Sequence, residues 1–323
     1  MRGIFVLTLS PALFFCLAST SGWAKAKTAA VPFLTLDTSA RASSMGGAQA
    51  AAVNDASALV ANPAALRGLL RPSASLFHAT YEGTLFFDFA GFGRRVGRDG
   101  AFGAGAQFLS QGDVEQIDVN GNTTGHLTPN DLALSLGYAR EVSGVCLGVG
   151  GKYIQSKLVN TGSTFALDAG VLSPLFSQGR LRWAAVLSNV GPSITYGSKS
   201  QALPTQVRGG AVFAASPRWD LAADAVFPNA GDSYFALGAE YHLPLEGPMK
   251  VSLRGGYNNQ SEGQDTLSGF SGGLGFGGKS FGLDYALVTL GDLGLSHRFS
   301  LNFRFGPETK PPTPKTFPSR PPE

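Results

Sequence analysis

Hydrophobic and polar positions alternate along most of this chain. Near its far end, residues 298–305 read RFSLNFRF: Phe299, Leu301, Phe303 and Phe305 are apolar, while Arg298, Ser300, Asn302 and Arg304 are polar. A period of two is the signature of a strand with two unlike faces. Fourteen such segments follow residue 72, at 73–81, 84–96, 101–110, 130–141, 144–156, 163–173, 181–190, 206–215, 218–228, 233–243, 249–259, 266–276, 279–288 and 294–305. Most come near the roughly nine to eleven residues that a tilted strand needs to cross a bilayer.

The two faces differ in a consistent way. Leu132, Leu134, Leu136 and Tyr138 oppose Ala133, Ser135, Gly137 and Ala139. Trp219, Leu221, Ala223, Ala225 and Phe227 oppose Asp220, Ala222, Asp224 and Val226, and Phe235, Leu237, Ala239, Tyr241 and Leu243 oppose Ala236, Gly238, Glu240 and His242. A soluble sandwich would cover its outer face with charge, yet charged residues are only 15% of this chain, against about 25% in soluble domains. Bulky side chains in lipid and small or charged ones in a lumen fit better. The predicted fold is all-β, a 14-stranded antiparallel transmembrane β-barrel of the outer membrane, whose even strand number leaves no open edge in lipid. Tyr138, Tyr153, Trp183, Trp219, Tyr241 and Tyr257 fall near strand ends on the bulky face, where aromatic girdles belong. Tight links such as 97–100, 142–143, 216–217 and 277–278 alternate with longer ones, notably 111–129 and 191–205. Short turns on the periplasmic side and long loops outside are the barrel habit.

The chain's beginning names a compartment. Arg2, an apolar run from Ile4 to Ala18, and Ala24-Lys25-Ala26 form a signal peptide over residues 1–26. No later apolar run reaches 18 residues, which excludes a helical membrane protein. Removing the signal removes Cys16 and leaves Cys146 alone, so no internal disulfide forms. It also leaves 23 basic against 22 acidic residues, a balance that gives no basis for nucleic-acid binding. The 43 glycines are about twice the ordinary share; where they fall in strands they permit curvature or close approach.

Residues 27–72 are neither alternating nor strongly amphipathic, but rich in Ala, Gly and Ser. Asn62 followed by Pro63 predicts a capped short helix to Leu69. The barrel is assigned to 73–305. Residues 306–323 carry seven prolines and cannot extend the sheet. They read as a disordered periplasmic tail or as a polyproline arm for a periplasmic partner. Both termini are expected in the periplasm. Phe305, an aromatic end to the last strand, resembles the signal by which the outer-membrane assembly machinery recognises its clients.

Catalytic chemistry is not legible. His78, His126, His242 and His297 show no metal-ligand spacing, and no serine lies in a nucleophile elbow. No catalytic residue, metal or cofactor is assigned, and Cys146, facing the lumen by period, reads as an inert small residue.

The run Phe33-Leu34, Ala40-Arg41-Ala42, Met45-Gly46-Gly47-Ala48, Asn54-Asp55-Ala56-Ser57-Ala58 and Asn62-Pro63-Ala64-Ala65-Leu66 resembles the N-terminus of PorV/PorQ-type outer-membrane proteins. It is also similar, more distantly, to long-chain fatty acid transporters of the FadL type. Asp168-Ala169-Gly170, Ser188-Asn189-Val190-Gly191, Leu203-Pro204 and Asp284-Tyr285-Ala286-Leu287 extend the match. The resemblance implies a fourteen-stranded barrel whose N-terminal segment plugs the lumen, with Met45, Gly46, Gly47, Asn54, Asp55, Asn62 and Pro63 as its motif. It implies either a part in type IX protein secretion and surface attachment, with secretion proteins as partners, or passage of a hydrophobic ligand through a lateral opening. The opening would lie where a strand kinks, at Gly91 or Gly209-Gly210. This chain departs from both groups in its shorter loops and its proline tail. Alternation then places Asp88, Lys152, Asp168, Arg182, Arg208, Asp224, Glu240, Lys250, Arg254, Asp284, Arg298 and Arg304 in the lumen, with signs that alternate from Asp168 to Arg182, Arg208 to Asp224, Glu240 to Arg254 and Asp284 to Arg298. Such charges either pair into a belt that holds the plug or line a selective channel.

Overall fold

The computed structural model describes residues 29–81, 85–245, 247, 249–260, 268–291 and 294–308. The expected signal peptide and the tail beyond Glu308 lie outside the described residues. A first segment holds a 3-10 turn at Pro32–Thr35, α1 (Ala40–Ser44), α2 (Ala58–Ala61) and a 3-10 helix at Pro63–Gly68. Eighteen strands follow: β1 (Ser73–Thr80), β2 (Phe86–Val96), β3 (Gly100–Ser110), β4 (Val114–Ile117), β5 (Thr123–Leu127), β6 (Asn130–Val142), β7 (Val145–Lys157), β8 (Thr161–Leu172), β9 (Leu181–Val190), β10 (Ile194–Tyr196), β11 (Lys199–Gln201), β12 (Gln206–Ser216), β13 (Trp219–Pro228), β14 (Tyr234–His242), β15 (Lys250–Asn258), β16 (Phe270–Gly277), β17 (Phe281–Thr289) and β18 (Leu295–Arg304).

Fourteen of these close an antiparallel barrel in which each strand pairs with its sequence neighbours and β1 closes on β18. The other four form two hairpins, β4–β5 and β10–β11, which build up the 111–129 and 191–205 links. The period-two segments are therefore the barrel strands, with ends displaced by four residues at most, at β16. Outward residues are apolar and exposed, as Leu134, Leu136 and Leu237 are; inward ones such as Ala133, Ser135 and Ala236 are buried. No described helix is long and apolar enough to cross a membrane. The barrel's lower end carries the tight turns and the upper end the longer links. Trp219 stacks with Tyr241 at 4.9 Å near the lower end, and Tyr257 with Phe270 at 4.9 Å near the upper.

The barrel is not hollow. Residues 30–69 run down through it, and the buried apolar cluster joins their Phe33, Leu34, Leu59 and Leu66 to inward Phe77, Phe87 and Ile154 of the wall. The Ala30 N–H bonds the Ala202 carbonyl at the upper end, whereas the Phe305 N–H bonds the Pro72 carbonyl at the lower end. Ala30 and Phe305 thus lie at opposite ends of the barrel; the chain's own termini fall outside the described residues. The cause is the length of the inner segment: it enters at the top and must descend to reach β1.

Close approach of backbones fixes this segment. Gly46 has φ +67°, and a side chain there would strike the backbone of Tyr257 and Leu237. Gly238 and Gly256 leave the facing room for Met45 and Gly46, and Gly148 does so for Pro63 and Ala64. The expected kinks are not at glycine: β2 keeps register through Gly91, and β12 through Gly209 and Gly210. Register shifts instead between Leu167 and Ala169 of β8, and between Ala214 and Ser216 of β12.

Gly256→Leu should leave the wall folded and displace the inner segment, because leucine fits a strand but fills the space of Met45 and Gly46. The expected outcome is trypsin cleavage at Arg41 in a barrel that still migrates as folded on an unheated SDS gel. Continued protection of Arg41 would contradict the packing described.

Candidate functional site

The inner segment has little regular structure, so its backbone groups need partners from elsewhere. Inward side chains of the wall supply them. Asp224 Oδ2 accepts the N–H groups of Gln49 and Ala50, each at 2.9 Å. Ser300 Oγ accepts Ala40 N–H at 2.8 Å, Ser271 Oγ accepts Gly46 N–H at 3.0 Å, and Ser75 Oγ accepts Ala56 N–H at 3.1 Å. Arg208 Nη1 donates to the Gly47 carbonyl at 2.7 Å. Asn62 caps the 3-10 helix through Oδ1 to Ala64 N–H at 3.1 Å and donates Nδ2 to the Ala50 carbonyl at 2.8 Å. Pro63 opens that helix, as expected, although its geometry is 3-10 and it ends at Gly68. Of the other motif residues, Met45 is fully buried, Gly46 and Gly47 make the left-handed turn after α1, and Asp55 accepts from Ser57 N–H at 2.8 Å. Asn54 is exposed toward the lower mouth.

The charges form a network that includes the inner segment. Arg208 meets Asp224 at 3.1 Å, and Arg254 meets Glu240 at 2.8 Å. Glu240 is also held by Arg41 of α1, at 2.5 Å. Two expected neighbours do not meet. Asp168 pairs with Lys152 at 2.8 Å, not with Arg182. Register puts Ala184 opposite Leu172, so Arg182 lies well below Asp168, and its Nε has no partner among the described residues. Asp284 pairs with Arg254 at 2.7 Å, while Arg298 turns to Asp37 at 3.4 Å and to Ser43 Oγ at 2.9 Å. Asp88 is a further correction. It lies on the outward face, paired with outward His78 at 2.7 Å, because the inward positions of β2 are taken by Phe87 and Phe89. Lys250 and Arg304 point inward at the lower mouth. Cys146 packs at the edge of the apolar cluster.

Asp37, Arg41 and Asn189 were not legible as partners, since nothing in their spacing links them to particular strands. Asp220, Glu240 and His242 form a group with metal-type ligand atoms in mutual reach, also hidden in the sequence. Its donors are engaged. His242 Nε2 contacts Asp220 Oδ2 at 3.0 Å and Nδ1 contacts Ser252 Oγ at 3.1 Å, while both Glu240 oxygens hold guanidiniums. The arrangement is an ion-pair cluster continuous with the belt.

Two cavities adjoin this interior. A vestibule of about 900 Å³ opens at the lower mouth, with Arg41, Glu240, His242 and Arg254 in its lining. Between the inner segment and the wall, a pocket lined by Leu34, Gln49, Lys152 and Arg208 holds only about 20 Å³, close to the space of a single water. At the upper end, Asp118 of the β4–β5 turn accepts Asn122 and Asn120 N–H at 2.8 Å each, which holds its carboxyl below the usual range.

Comparison places this geometry among known proteins. The sequence model of a family described as "Type IX secretion system protein PorV" matches residues 20–216, more than half of the 323 residues. No curated protein sequence matches. Among solved structures, the Pseudomonas putida toluene transporter TodX aligns with a TM-score of 0.57 and 11% identity, covering 83% of this chain and 96% of TodX. The Ralstonia pickettii toluene transporter TbuX gives 0.58 and 15%, over 84% and 100% of the two chains. A Pseudomonas aeruginosa FadL homologue gives 0.55 and 11%, over 83% and 98%. At such identities these likenesses speak for the barrel fold.

Lys152 and Asp168 are each 1% exposed, so removing one leaves the other as an uncompensated charge. Lys152→Met should cost about 3–5 kcal/mol of stability, and the double variant Lys152→Met/Asp168→Leu distinctly less. Urea unfolding in detergent, followed by the folded-to-unfolded gel shift, measures both; a double variant no more stable than Lys152→Met would mean that the stranded Asp168 carboxylate is not the source of the loss.

Proposed function

The chain belongs to the family of the type IX secretion system protein PorV, and from that membership we propose that it serves as a non-enzymatic outer-membrane component of protein secretion or cell-surface attachment. One observation carries this choice over small-molecule transport: above the lower vestibule, the inner segment fills the lumen. The inner segment, which we read as a plug, occupies the wall's charges, and the upper pocket of about 20 Å³ has no room for an apolar ligand. The fold shared with toluene transporters keeps transport as the second reading, which requires residues 33–70 to move.

In this reading the lower end faces the periplasm, because the tight turns are there. The strand that ends before Phe305 is the part read by the assembly machinery, and the proline tail extends into the periplasm. The upper rim faces outward and presents the 111–129 and 191–205 links to folded protein partners. Ala30 reaches that same rim.

Purified protein in liposomes should show neither conductance nor uptake of labelled fatty acid, and native membranes should yield it together with other secretion-system proteins, identified by mass spectrometry. Uptake that is abolished by cross-linking residues 33–70 to the wall would reverse the assignment in favour of transport.

A further inference from the structure

One stretch of the upper wall has a strand on one side only. β8 pairs with β7 along its whole length, from Thr161 opposite Lys157 to Leu172 opposite Cys146. With β9 it pairs only from Leu172 up to Leu167, which faces Val190. β9 stops there for a local reason. Asn189 adopts a left-handed conformation with φ 61° and is fully buried. Its N–H is accepted by Asp168 Oδ1 at 2.8 Å, its Oδ1 accepts from Lys152 Nζ at 2.7 Å, and its Nδ2 donates to the Pro204 carbonyl at 3.1 Å. Gly191 and Pro192 follow, and proline cannot continue a ladder. The chain then turns inward: Ile194 is fully buried, and Thr164 Oγ1 donates to the Pro192 carbonyl at 3.0 Å. The link covers the inner face of upper β8 and does not lie beside it.

Thr161 to Thr164 therefore keep an open edge, which ends where Gly191 lies against Phe165 and Ala166. The Phe165 carbonyl points toward Gly191, where any side chain would strike it. Backbone groups of alternate residues point the same way, so Ser163 and Thr161 present theirs to the same side. Among the described residues, none of the three has a backbone partner there. Proteins blunt exposed edges with charge, proline or a bulge, but TGSTFA contains neither charge nor proline. Phe165 and Leu167, at 64% and 65%, are the most exposed large apolar side chains of the described barrel strands. Tyr153 stacks on Phe165 at 5.3 Å, while Gln155, Lys157, Thr161 and Ser163 above them are polar. The lipid boundary thus falls at Phe165, and the open edge rises just clear of hydrocarbon, where unpaired backbone is tolerated.

We propose that this edge is a strand-addition site, and that its occupant is an extended segment of a secreted protein lying antiparallel along Thr161–Thr164. A row of free N–H and C=O groups is complementary to another backbone and to little else. The occupant's outward residues would be apolar, to cover Phe165 and Leu167. Its inward residues would be small, since at Gly162 a side chain would already strike the Thr195 carbonyl and crowd Ile194. The secreted origin rests on the secretion reading; the edge does not.

Full-length protein in nanodiscs, titrated with a fluorescein-labelled nine-residue peptide of alternating valine and threonine, tests the edge. Saturable binding is expected, weakened at least tenfold by N-methylation of every second peptide residue. Ser163→Pro should weaken it likewise, because that N–H faces the gap and its loss leaves the β7 ladder intact. Equal binding of plain and N-methylated peptides would overturn the edge, and this arm needs no variant to fold. A photo-crosslinking residue at Ser163 in native membranes tests the source: adducts with secreted proteins, absent when the same residue stands at Leu134, support it. Adducts with a second copy of this chain would overturn the proposed occupant. Peptide binding without any secreted adduct would overturn the secretion reading and keep the edge.

Discussion

A polypeptide whose helices are only a turn or so long can sit inside a closed barrel only if its remaining backbone polar groups find partners there, and that requirement organises this molecule. The inner segment contains two α-helices of five and four residues and two 3-10 helices of four and six. The backbone groups between these short turns and at their ends need partners from the wall. The wall answers with Ser75, Asp224, Ser271 and Ser300 as acceptors and Arg208 as a donor, each aimed at a particular peptide group. The charges follow from the same need. A carboxylate can accept two N–H groups and still require a cation, and a guanidinium that reaches a carbonyl still requires an anion. Asp224 with Arg208, and Glu240 with Arg41 and Arg254, meet both demands together. Loss of one member would strand the rest in a dry interior.

Closeness comes from the other unusual feature of the chain, its glycine. Hydrogen bonds between a wall side chain as short as serine and a plug backbone require the two chains to approach closely. Gly148, Gly238 and Gly256 remove the Cβ atoms that would prevent it. Polar satisfaction and shape are thus one design, since each short bond needs an empty place beside it.

How much of this is legible in the sequence depends on which physical signal a feature leaves. The strands are legible because alternation arises from lipid on one face and lumen on the other, whatever the partner strand. Facing is legible where one face is small and the other bulky, as at Leu134 and Leu237. It fails in β2, where phenylalanine occupies both faces, and Asp88 was placed inside for that reason. Partner choice is not legible, because strand order says which strands adjoin but not at what height. Asp168 and Arg182 lie on adjoining strands, yet the register sets Arg182 far below, and Lys152 takes its place. A kink is expected at Gly91 or Gly209-Gly210, where register is kept; the pairing of β8 with β9 ends instead at a buried, left-handed Asn189 before Gly191 and Pro192. Sterically, a glycine in a strand is only permission to bend; proline is an instruction to stop pairing.

A barrel shared in fold with toluene transporters yet filled above its lower vestibule means that architecture alone does not choose the cargo. To clear the lumen there, residues 40–50 must leave Asp224, Ser300, Glu240 and Arg208, contacts spread over strands on several sides of the barrel. A small apolar molecule offers nothing to replace a guanidinium or a peptide N–H, so each contact it displaced would remain a buried unpaired group. A polypeptide carries the same N–H and C=O groups as the segment it would meet. At the upper rim, where the wall already shows an unpaired edge, it could bind without disturbing the interior at all. The chemistry of a lumen stoppered by backbone therefore favours partners that are themselves backbone, met at the rim and not passed through the bore.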